Sequence, residues 1–402
     1  MKTVLRYCKV FLLLIAAYFA FAVLSCLIPD KSIKANIEKS APLLEKEGLY
    51  PKAIVGLRQC QMDNYTDALI LNQIYRIDRK RPVLAAMKVV HAEEPGHESD
   101  KTGMLLRLTN GESLKDRSYA RYWHGNTFLF RPFFLLMDYN MLRWWLFAIS
   151  TLLLVALLCA YYQGAGLLKT MALAFGFVAT CGFVTQFSMQ FFPVLAITVV
   201  ACLLVIKRGD TKDNGLLFFI VGSLVCYFDL LTAPMLTLGM PLVVWLSLKH
   251  DESIDVRKDL WVMFRMGLLW ILGFALTFVT KWALGSMIVG NDVFSDALGT
   301  SLYRIGVDDF TRWDAVVRNF NLINLPMVLV FVMVFVVLLV VRRPKFSWKK
   351  ALLLLLLGLT PYIWYLVLSN HSYLHWWFTY RLQAITVACL MLMLAEPFRR
   401  TA

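Results

Sequence analysis

Long apolar runs separated by short polar connections are the main pattern along this chain. A helix needs about 20 mostly apolar residues to cross the hydrocarbon core of a bilayer. Runs that approach this length occur at 8–28, 141–161, 168–185, 187–206, 215–231, 233–248, 261–283, 323–341, 350–368 and 379–395. The pattern therefore predicts an all-α polytopic membrane protein with about ten transmembrane helices.

Residues 119–138 depart from this pattern, because their aromatic and apolar residues are mixed with Arg121, His124, Arg131, Pro132 and Asp138. Charged side chains are costly in the bilayer core and favour its interface with water. We interpret the segment as an interfacial or re-entrant helix that does not cross the membrane.

The runs divide the chain into a first transmembrane helix at 1–28, an extracytoplasmic loop with juxtamembrane helices at 29–140, and a multi-span domain at 141–402. The first run has the basic start and apolar middle of a signal peptide. Residues 23–26 resemble a lipoprotein cleavage box, but Leu24 fits it poorly and the apolar run continues to Ile28. We predict that the segment is retained as an anchor.

Composition supports the membrane assignment. The 402 residues are 59% hydrophobic and only 17% charged, whereas soluble domains are about 45–50% apolar and about 25% charged. This excludes a soluble globular protein and a disordered one. The net charge of +14 is typical of nucleic-acid-binding or membrane-associated chains, and the apolar excess favours the membrane, with no nucleic-acid partner.

The positions of the basic residues predict the orientation. With both termini in the cytoplasm, the inner segments carry 18 Lys and Arg against 7 Asp and Glu, grouped at 2–9, near Lys169, and at 207–213, 249–265, 342–350 and 396–400. The short outer links near 186, 232 and 369–378 carry no Lys or Arg. This asymmetry follows the positive-inside rule and predicts a multi-pass membrane protein with both termini in the cytoplasm.

The eight cysteines form no recognisable framework. Seven lie in or beside apolar runs, Cys60 stands alone in a polar stretch, and no CxxC occurs. We therefore expect neither a zinc module nor a disulfide module. The chain also lacks GxxxxGK[ST] and GxGxxG motifs, which argues against an ATP-driven pump and against a Rossmann-type nucleotide-sugar enzyme.

Polar residues collect at the predicted outer face. Asp63 and Asp67 lie four residues apart at the start of a predicted helix, so both carboxylates share one helix face. Such a pair can bind a cation such as Mg²⁺ or Mn²⁺, or one member can act as a general base. The alternative is that Asp63 caps the helix and Asp67 is a solvated acid.

Five further candidate residues lie in the interfacial segment or close to the outer ends of predicted helices. Arg121, His124 and Arg131 stand among aromatic residues, which suits either a lipid-headgroup anchor or a phosphate site. Asp229 either caps a tight turn or lines an outer cavity. Lys281 either extends to the membrane surface or contributes to the same site.

The last outer link contains His371, His375 and Arg381. The two histidines share a face if the link is helical, but the chain has no HExxH motif and zinc needs at least one more ligand. An arginine among aromatic residues requires an anionic partner, which is either Asp63, Asp67 or Asp229, or a lipid phosphate. Because ATP is absent outside a cell membrane, group transfer there requires a preactivated donor such as a lipid-phosphate sugar.

This pattern resembles the GT-C glycosyltransferases, which are integral membrane enzymes that use polyprenyl-phosphate-linked sugars. The shared features are the span 8–28, the large loop 29–117, its acidic residues Asp63 and Asp67, and the many following spans. The adjacent Asp-Glu pair of some members is absent. Trp376-Trp377 are followed by Phe378-Thr379 rather than by the rest of a WWDYG motif, which argues against protein N-glycosylation.

The resemblance implies inverting sugar transfer to a glycan or lipid hydroxyl at the extracytoplasmic face. Asp67 or Asp63 would then be the base, and Arg381, with Arg131 or Lys281, would hold the leaving phosphate. His371, His375 and Asp229 would line the pocket. The resemblance leaves open whether the reaction requires a divalent cation. The alternatives are a transporter or flippase of lipid-linked sugars, and a polysaccharide polymerase or ligase.

Overall fold

The computed structural model describes residues 2–97, 99–209, 213–290, 293–342 and 347–395. The basic residues Lys212, Arg343, Lys345, Arg399 and Arg400 and the acidic residues Asp210 and Glu396, which were assigned to the inner face, lie outside these ranges. Almost all regular structure in the described part is helical. The first helices are α1 (Lys2–Leu27), α2 (Lys31–Glu47), α3 (Asn64–Tyr75), α4 (Pro82–Lys88), α5 (Lys101–Thr109) and α6 (Gly125–Phe130).

Fourteen more α-helices follow in the described residues. They are α7 (Tyr139–Ala165), α8 (Leu167–Ala179), α9 (Phe192–Arg208), α10 (Gly215–Phe228), α11 (Leu236–Leu248), α12 (Val256–Val289), α13 (Val293–Ile305), α14 (Arg312–Phe320), α15 (Leu325–Arg342), α16 (Trp348–Gly358), α17 (Thr360–Val367), α18 (Ser369–Leu374), α19 (Trp376–Thr379) and α20 (Ala384–Ala395). Short 3-10 helices occupy Arg131–Leu135, Gly182–Phe187, Asp251–Ser253 and Tyr380–Gln383.

Five helical segments are long and apolar enough to cross a membrane: Thr3–Leu27, Tyr139–Ala165, Val256–Val289, Trp348–Val367 and Trp376–Ala395. A sixth is possible if α14 and α15, which meet at a bend of 70°, form one span. The chain is therefore a polytopic α-helical protein with five or six candidate spans. The runs at 168–185, 187–206, 215–231 and 233–248 form helices of only 13 to 17 residues, so ten full-length spans are not confirmed.

Residues 29–140 form a packed region rather than an open loop. Helices α2, α3 and α5 share an apolar core with Phe130, Phe134 and the start of α7. Strand β1 (Val90–Glu93) pairs antiparallel with β2 (Lys115–Ser118), with Val90 opposite Ser118. This two-stranded sheet, whose strands are connected through α5, is a departure from the all-α prediction. Residues 119–138 contain only α6 and one 3-10 helix, neither of which is long enough to cross a membrane.

Hydrogen bonds at one end of the helices join connections that the charge pattern assigned to one side. Lys169 and Lys350 both donate to the backbone oxygen of Ser247, at 3.2 and 3.1 Å. Lys249 forms an ion pair of 2.6 Å with Asp259, close to the start of α12. Lys281 lies 22 residues further along α12, which is about 33 Å at the rise of an α-helix. The predicted inner connections therefore meet at one end of the bundle.

The described residues contain one disulfide, between Cys60 and Cys181, with Cα atoms 5.5 Å apart. The expectation of no disulfide was wrong, because the two cysteines are 121 residues apart in sequence and only the fold brings them together. The bond ties the segment before α3 to the end of α8.

Candidate functional site

A polar cavity of about 460 Å³ lies between the segment after β2, α13 and the α18 region. Its wall includes Arg121, His371 and His375, three of the residues selected from the sequence. Sequence reasoning missed Arg304, which lies in the same wall near the end of α13. Two arginines in the wall of one cavity can bind an anion.

A second cavity, of about 250 Å³, adjoins the first and shares Arg121, Thr300 and Arg304 with it. The remaining wall is mostly apolar and includes Phe274, Phe278 and Trp282 of α12, with Trp364 and Val367 of α17. Helix α12 and the segment containing α17 are both long and apolar enough to cross a membrane. An apolar groove between membrane-length helices thus ends at a pair of arginines.

The two shared arginines are held by different contacts. Arg121 forms an ion pair of 3.1 Å with Asp296, its guanidinium lies 4.6 Å from the ring centre of Tyr119, and its buried Nε has no hydrogen-bond partner. Arg304 lies 5.3 Å from the ring centre of Tyr122, and no carboxylate pairs with it within the described ranges. Both cations therefore retain donors for an anion.

The two histidines are uncharged in this setting. Burial, together with the positive charge of Arg304, lowers the pKa of His371 well below its usual value and that of His375 to about 4. His371 Nε2 lies 2.8 Å from the backbone oxygen of Leu231. That contact requires the proton on Nε2, so the buried Nδ1, which has no partner, is an acceptor for a hydroxyl group.

Asp229 stabilises the turn that contains Leu231. Both of its carboxylate oxygens accept from the backbone N–H of Thr232, at 3.0 and 2.9 Å. It therefore caps the tight turn, which is the first of the two roles considered from the sequence. Leu231 within that turn adopts a φ of +68°, which is strained for a branched side chain. The strained turn directs the Leu231 carbonyl to His371, and so Asp229 is a positioning residue for the cavity.

Asp67 is fully occupied by hydrogen bonds. Its carboxylate accepts from Tyr139 Oη at 2.6 Å, from Ser188 Oγ at 3.1 Å, and from the backbone N–H groups of Met189 and Gln190, both at 3.1 Å. The side chain is 1% exposed, and burial raises its pKa. Four donors use the lone pairs of the two oxygens, which leaves Asp67 poorly suited to accept a proton from a substrate.

Asp63 has spare acceptor capacity. It caps α3, and across the described ranges its two oxygens accept only from the N–H and the hydroxyl of Thr66, at 3.0 and 2.8 Å. Burial raises its pKa to about 6, opposed by these hydrogen bonds and by the more distant charge of Arg381. A carboxylate with this pKa and free lone pairs suits a general base near neutral pH.

Asp63 does not line either cavity, but aromatic residues connect the two places. The pKa of Tyr65 is raised to about 12, mainly by burial. Tyr119, which lines the polar cavity, and Asp63 both lie close enough to Tyr65 to contribute to this increase. Tyr50 stacks on Tyr65 and lies 5.0 Å from the ring of Trp377. The carboxylate and the polar cavity therefore flank one aromatic wall.

Three other cations predicted for the site are bound to backbone oxygens. Arg131 donates to Ser25, Ile74 and Ile28 at 2.9, 3.2 and 3.0 Å. Lys281 donates to Met87 at 2.7 Å. Arg381 donates to Trp377 and Gln61 at 2.9 and 3.0 Å, and none of the described carboxylates forms an ion pair with it. None of the three lines the polar or the apolar cavity, and each instead joins separate parts of the fold.

His124 lies beside the polar cavity without lining it. Its Nε2 is 2.8 Å from the backbone oxygen of Tyr119, a wall residue, and its backbone adopts a φ of +56°. Burial lowers its pKa to about 3. Over the described ranges, no group of three His, Cys, Asp or Glu side chains is arranged to hold a metal ion.

Searches of protein-family models, of curated proteins and of solved structures gave no match to this chain. Arg304 was overlooked because it lies in the link 284–320, interpreted as an outer loop. The amphipathic pattern of 293–305, with apolar Val293, Ala297 and Leu298, could have identified a helix that carries this arginine to the site.

Proposed function

We propose that this protein transfers a sugar from a polyprenyl-phosphate-linked donor to a hydroxyl of a glycan or lipid acceptor at the extracytoplasmic membrane face. One observation carries the proposal: a polar cavity with two arginines opens into an apolar groove between membrane-length helices. A phosphate attached to a long hydrocarbon tail matches both parts, with the phosphate on Arg121 and Arg304 and the tail in the groove.

The arginines suit the phosphate for a physical reason. Hydrogen bonds from a guanidinium to a phosphate are charge-assisted and stronger than neutral ones. Arg121 already shares its charge with Asp296, whereas Arg304 contacts the ring of Tyr122. Arg304 is therefore the stronger of the two phosphate ligands, and Arg121 is the one whose release from Asp296 would accompany binding.

The proposed reaction is an inverting displacement. A new bond forms from the acceptor oxygen to the anomeric carbon while the bond from that carbon to the phosphate oxygen breaks. The phosphate leaves with the electron pair, and the two arginines stabilise its added negative charge. Asp63 takes the proton of the acceptor hydroxyl, because its carboxylate has free lone pairs and a pKa raised to about 6. Neutral His371 offers an acceptor for a sugar hydroxyl.

The proposal extends to the setting of the enzyme. We place the site on the outer side of a bacterial-type plasma membrane, with both termini in the cytoplasm and a GT-C-like arrangement. In that arrangement the helices α8 to α11 count as shortened or broken spans, which would restore a total of about ten. The Cys60–Cys181 disulfide supports the outer position of the segment before α3.

The direct test measures binding of a long-chain polyprenyl phosphate to the protein in nanodiscs by native mass spectrometry. We expect polyprenyl phosphate to bind at least tenfold more tightly than polyprenol, and Arg304→Gln to remove most of this difference, since a charge-assisted hydrogen bond contributes about 1.5–3 kcal/mol. Arg79→Gln is the matched control, because Arg79 lines neither cavity. Equal binding of the phosphate and the alcohol would exclude this donor class.

A transfer assay with polyprenyl-phosphate sugars then separates the enzyme from a transporter. Formation of polyprenyl phosphate together with a glycosylated acceptor supports the transferase. The same protein is also reconstituted in vesicles with the lipid composition of the nanodiscs. Movement of the intact donor across the vesicle membrane, without a covalent product, would support the flippase alternative instead.

A further inference from the structure

A third cavity, of about 340 Å³, lies in the region 29–140 and is separate from the donor cavities. It is surrounded by helix α2, the end of α3, helix α4 and the two-stranded sheet of β1 and β2. Its inner wall is apolar and includes Ile77, Leu84 and Val89. A concave, partly apolar space of this size can enclose a small polar molecule or one end of a larger one.

The rim of this cavity is charged. Arg76 forms an ion pair with Asp116, and Arg81 forms one with Asp78 at 2.9 Å. Lys88 is a further lining cation, half-buried, and pairs with none of the carboxylates that the structure describes. The paired carboxylates can accept hydrogen bonds from hydroxyl groups, whereas Lys88 has donors and a positive charge to offer.

Gln73 provides an independent indication of a ligand. Its side chain lines the cavity and is 1% exposed, and its Oε1 accepts from Thr127 Oγ1 at 2.7 Å. Its Nε2 is buried and has no hydrogen-bond partner among the residues that the structure describes. A buried donor without a partner is costly and rare in native proteins. An acceptor oxygen from a bound molecule in this cavity would satisfy it.

We propose that this cavity binds an acidic saccharide, that is, a sugar unit that carries a carboxylate or a phosphate. The apolar inner wall suits the C–H face of a sugar ring, and the rim carboxylates suit its hydroxyls. The buried Nε2 of Gln73 requires an acceptor oxygen, and the positive charge of the half-buried Lys88 favours an anionic group.

The position of the cavity relates it to the donor site. The backbone N–H of Tyr119 donates to the backbone oxygen of Val89 at 2.9 Å. Tyr119 lines the polar donor cavity and Val89 lines the third cavity, so one hydrogen bond separates the two walls. The saccharide site thus deepens the proposed function by identifying the acceptor as an acidic glycan, and in this respect only it rests on that function.

Isothermal titration calorimetry of the full chain in nanodiscs, without donor, tests the site. The probes are an oligogalacturonate, a phosphorylated mannose oligosaccharide and a neutral cello-oligosaccharide. We expect at least one of the acidic probes to bind about tenfold more tightly than the neutral probe, and the pair of acidic probes distinguishes carboxylate from phosphate recognition. Binding of the neutral probe with equal affinity would overturn the proposal.

Variants assign the binding to this cavity. Lys88→Gln and Gln73→Glu should each weaken binding of the acidic probe about tenfold, and Gln73→Glu keeps the acceptor for Thr127. Lys80→Gln is the matched control, because Lys80 is exposed on the same segment but does not line the cavity. Unchanged binding by Lys88→Gln would refute the site. Loss of polyprenyl-phosphate binding alone would refute the proposed transferase and leave the saccharide site intact.

Discussion

The replacement Asp63→Asn makes the sharpest prediction of the proposed mechanism: transfer is lost while the protein becomes more stable. Asn is an equally good helix cap, and it can keep the bond from the Thr66 N–H to the side-chain oxygen. It removes the one feature that the mechanism requires, an ionisable group buried with spare lone pairs.

The magnitude follows from the raised pKa of Asp63. The folded value of about 6 exceeds the usual value of 3.8 by about two units, which corresponds to about 3 kcal/mol. Between these two pH values the folded state holds a proton that the unfolded state has lost. Wild-type stability therefore declines as the pH rises from about 4 to about 6, and stays constant above that range. The Asn variant lacks this decline.

Two measurements on detergent-solubilised protein check the prediction. Thermal unfolding followed by tryptophan fluorescence, at several pH values from about 4 to about 8, should show the variant gaining on wild type up to pH 6. The sugar-transfer rate of wild type should rise with pH and level off above about 6, because the base must be deprotonated, whereas the variant should show no transfer at any pH.

Either of two results would contradict the role assigned to the buried Asp63 carboxylate. Wild-type rates of transfer by Asp63→Asn would show that another group removes the proton. A variant that is clearly less stable than wild type at pH 7 would show that the carboxylate contributes favourable contacts beyond those with Thr66, so that its burial is not the dominant cost.

Other residues give contrasting expectations. Asp67→Asn should lower stability by about 2–4 kcal/mol in thermal unfolding, because an amide donor would face some of the four donors that now bind the carboxylate; unchanged stability would contradict the hydrogen-bond pattern. Arg131→Met should cost about 3 kcal/mol or more by removing three charge-assisted hydrogen bonds to the backbone oxygens of Ser25, Ile74 and Ile28, with polyprenyl-phosphate binding retained by the folded fraction. Joint replacement of Cys60 and Cys181 by Ser should cost about 2–4 kcal/mol, and reductant should destabilise wild type but not this variant.

Hydropathy predicted the long helices well because a membrane span depends on a property of each residue summed over one segment. The runs at 141–161 and 261–283 lie within helices that are long enough to cross a membrane, and the run at 8–28 does so except for its last residue. It overestimated the runs at 168–185 and 215–231, where apolar character continues beyond the helix. Their helices end at Ala179 and Phe228, and a buried turn can be as apolar as a span.

Features that depend on distant pairs were beyond the sequence. The Cys60–Cys181 bond and the contact of His371 with the Leu231 carbonyl join segments 121 and 140 residues apart. The two-stranded sheet could not be predicted from the sequence either, because β1 and β2 are four residues each and β2 contains only polar residues. The residue types of the site were nevertheless recognisable, since Arg121, His371 and His375 do line one cavity.

The hydrogen bonds of the buried cations separate those that hold the fold together from those that can bind a substrate. Arg131, Lys281 and Arg381 were candidates for the phosphate site in the sequence, as Arg121 was. Arg131 and Lys281 donate to backbone oxygens, and so do both terminal nitrogens of Arg381, although the buried Nε of Arg381 has no partner in the described part of the chain. Binding a phosphate through the bound donors would require breaking contacts that join parts of the fold. Arg304 has no such bond among the contacts described and opens on both cavities. The cation that costs least to redirect is therefore the one on which the donor proposal depends most.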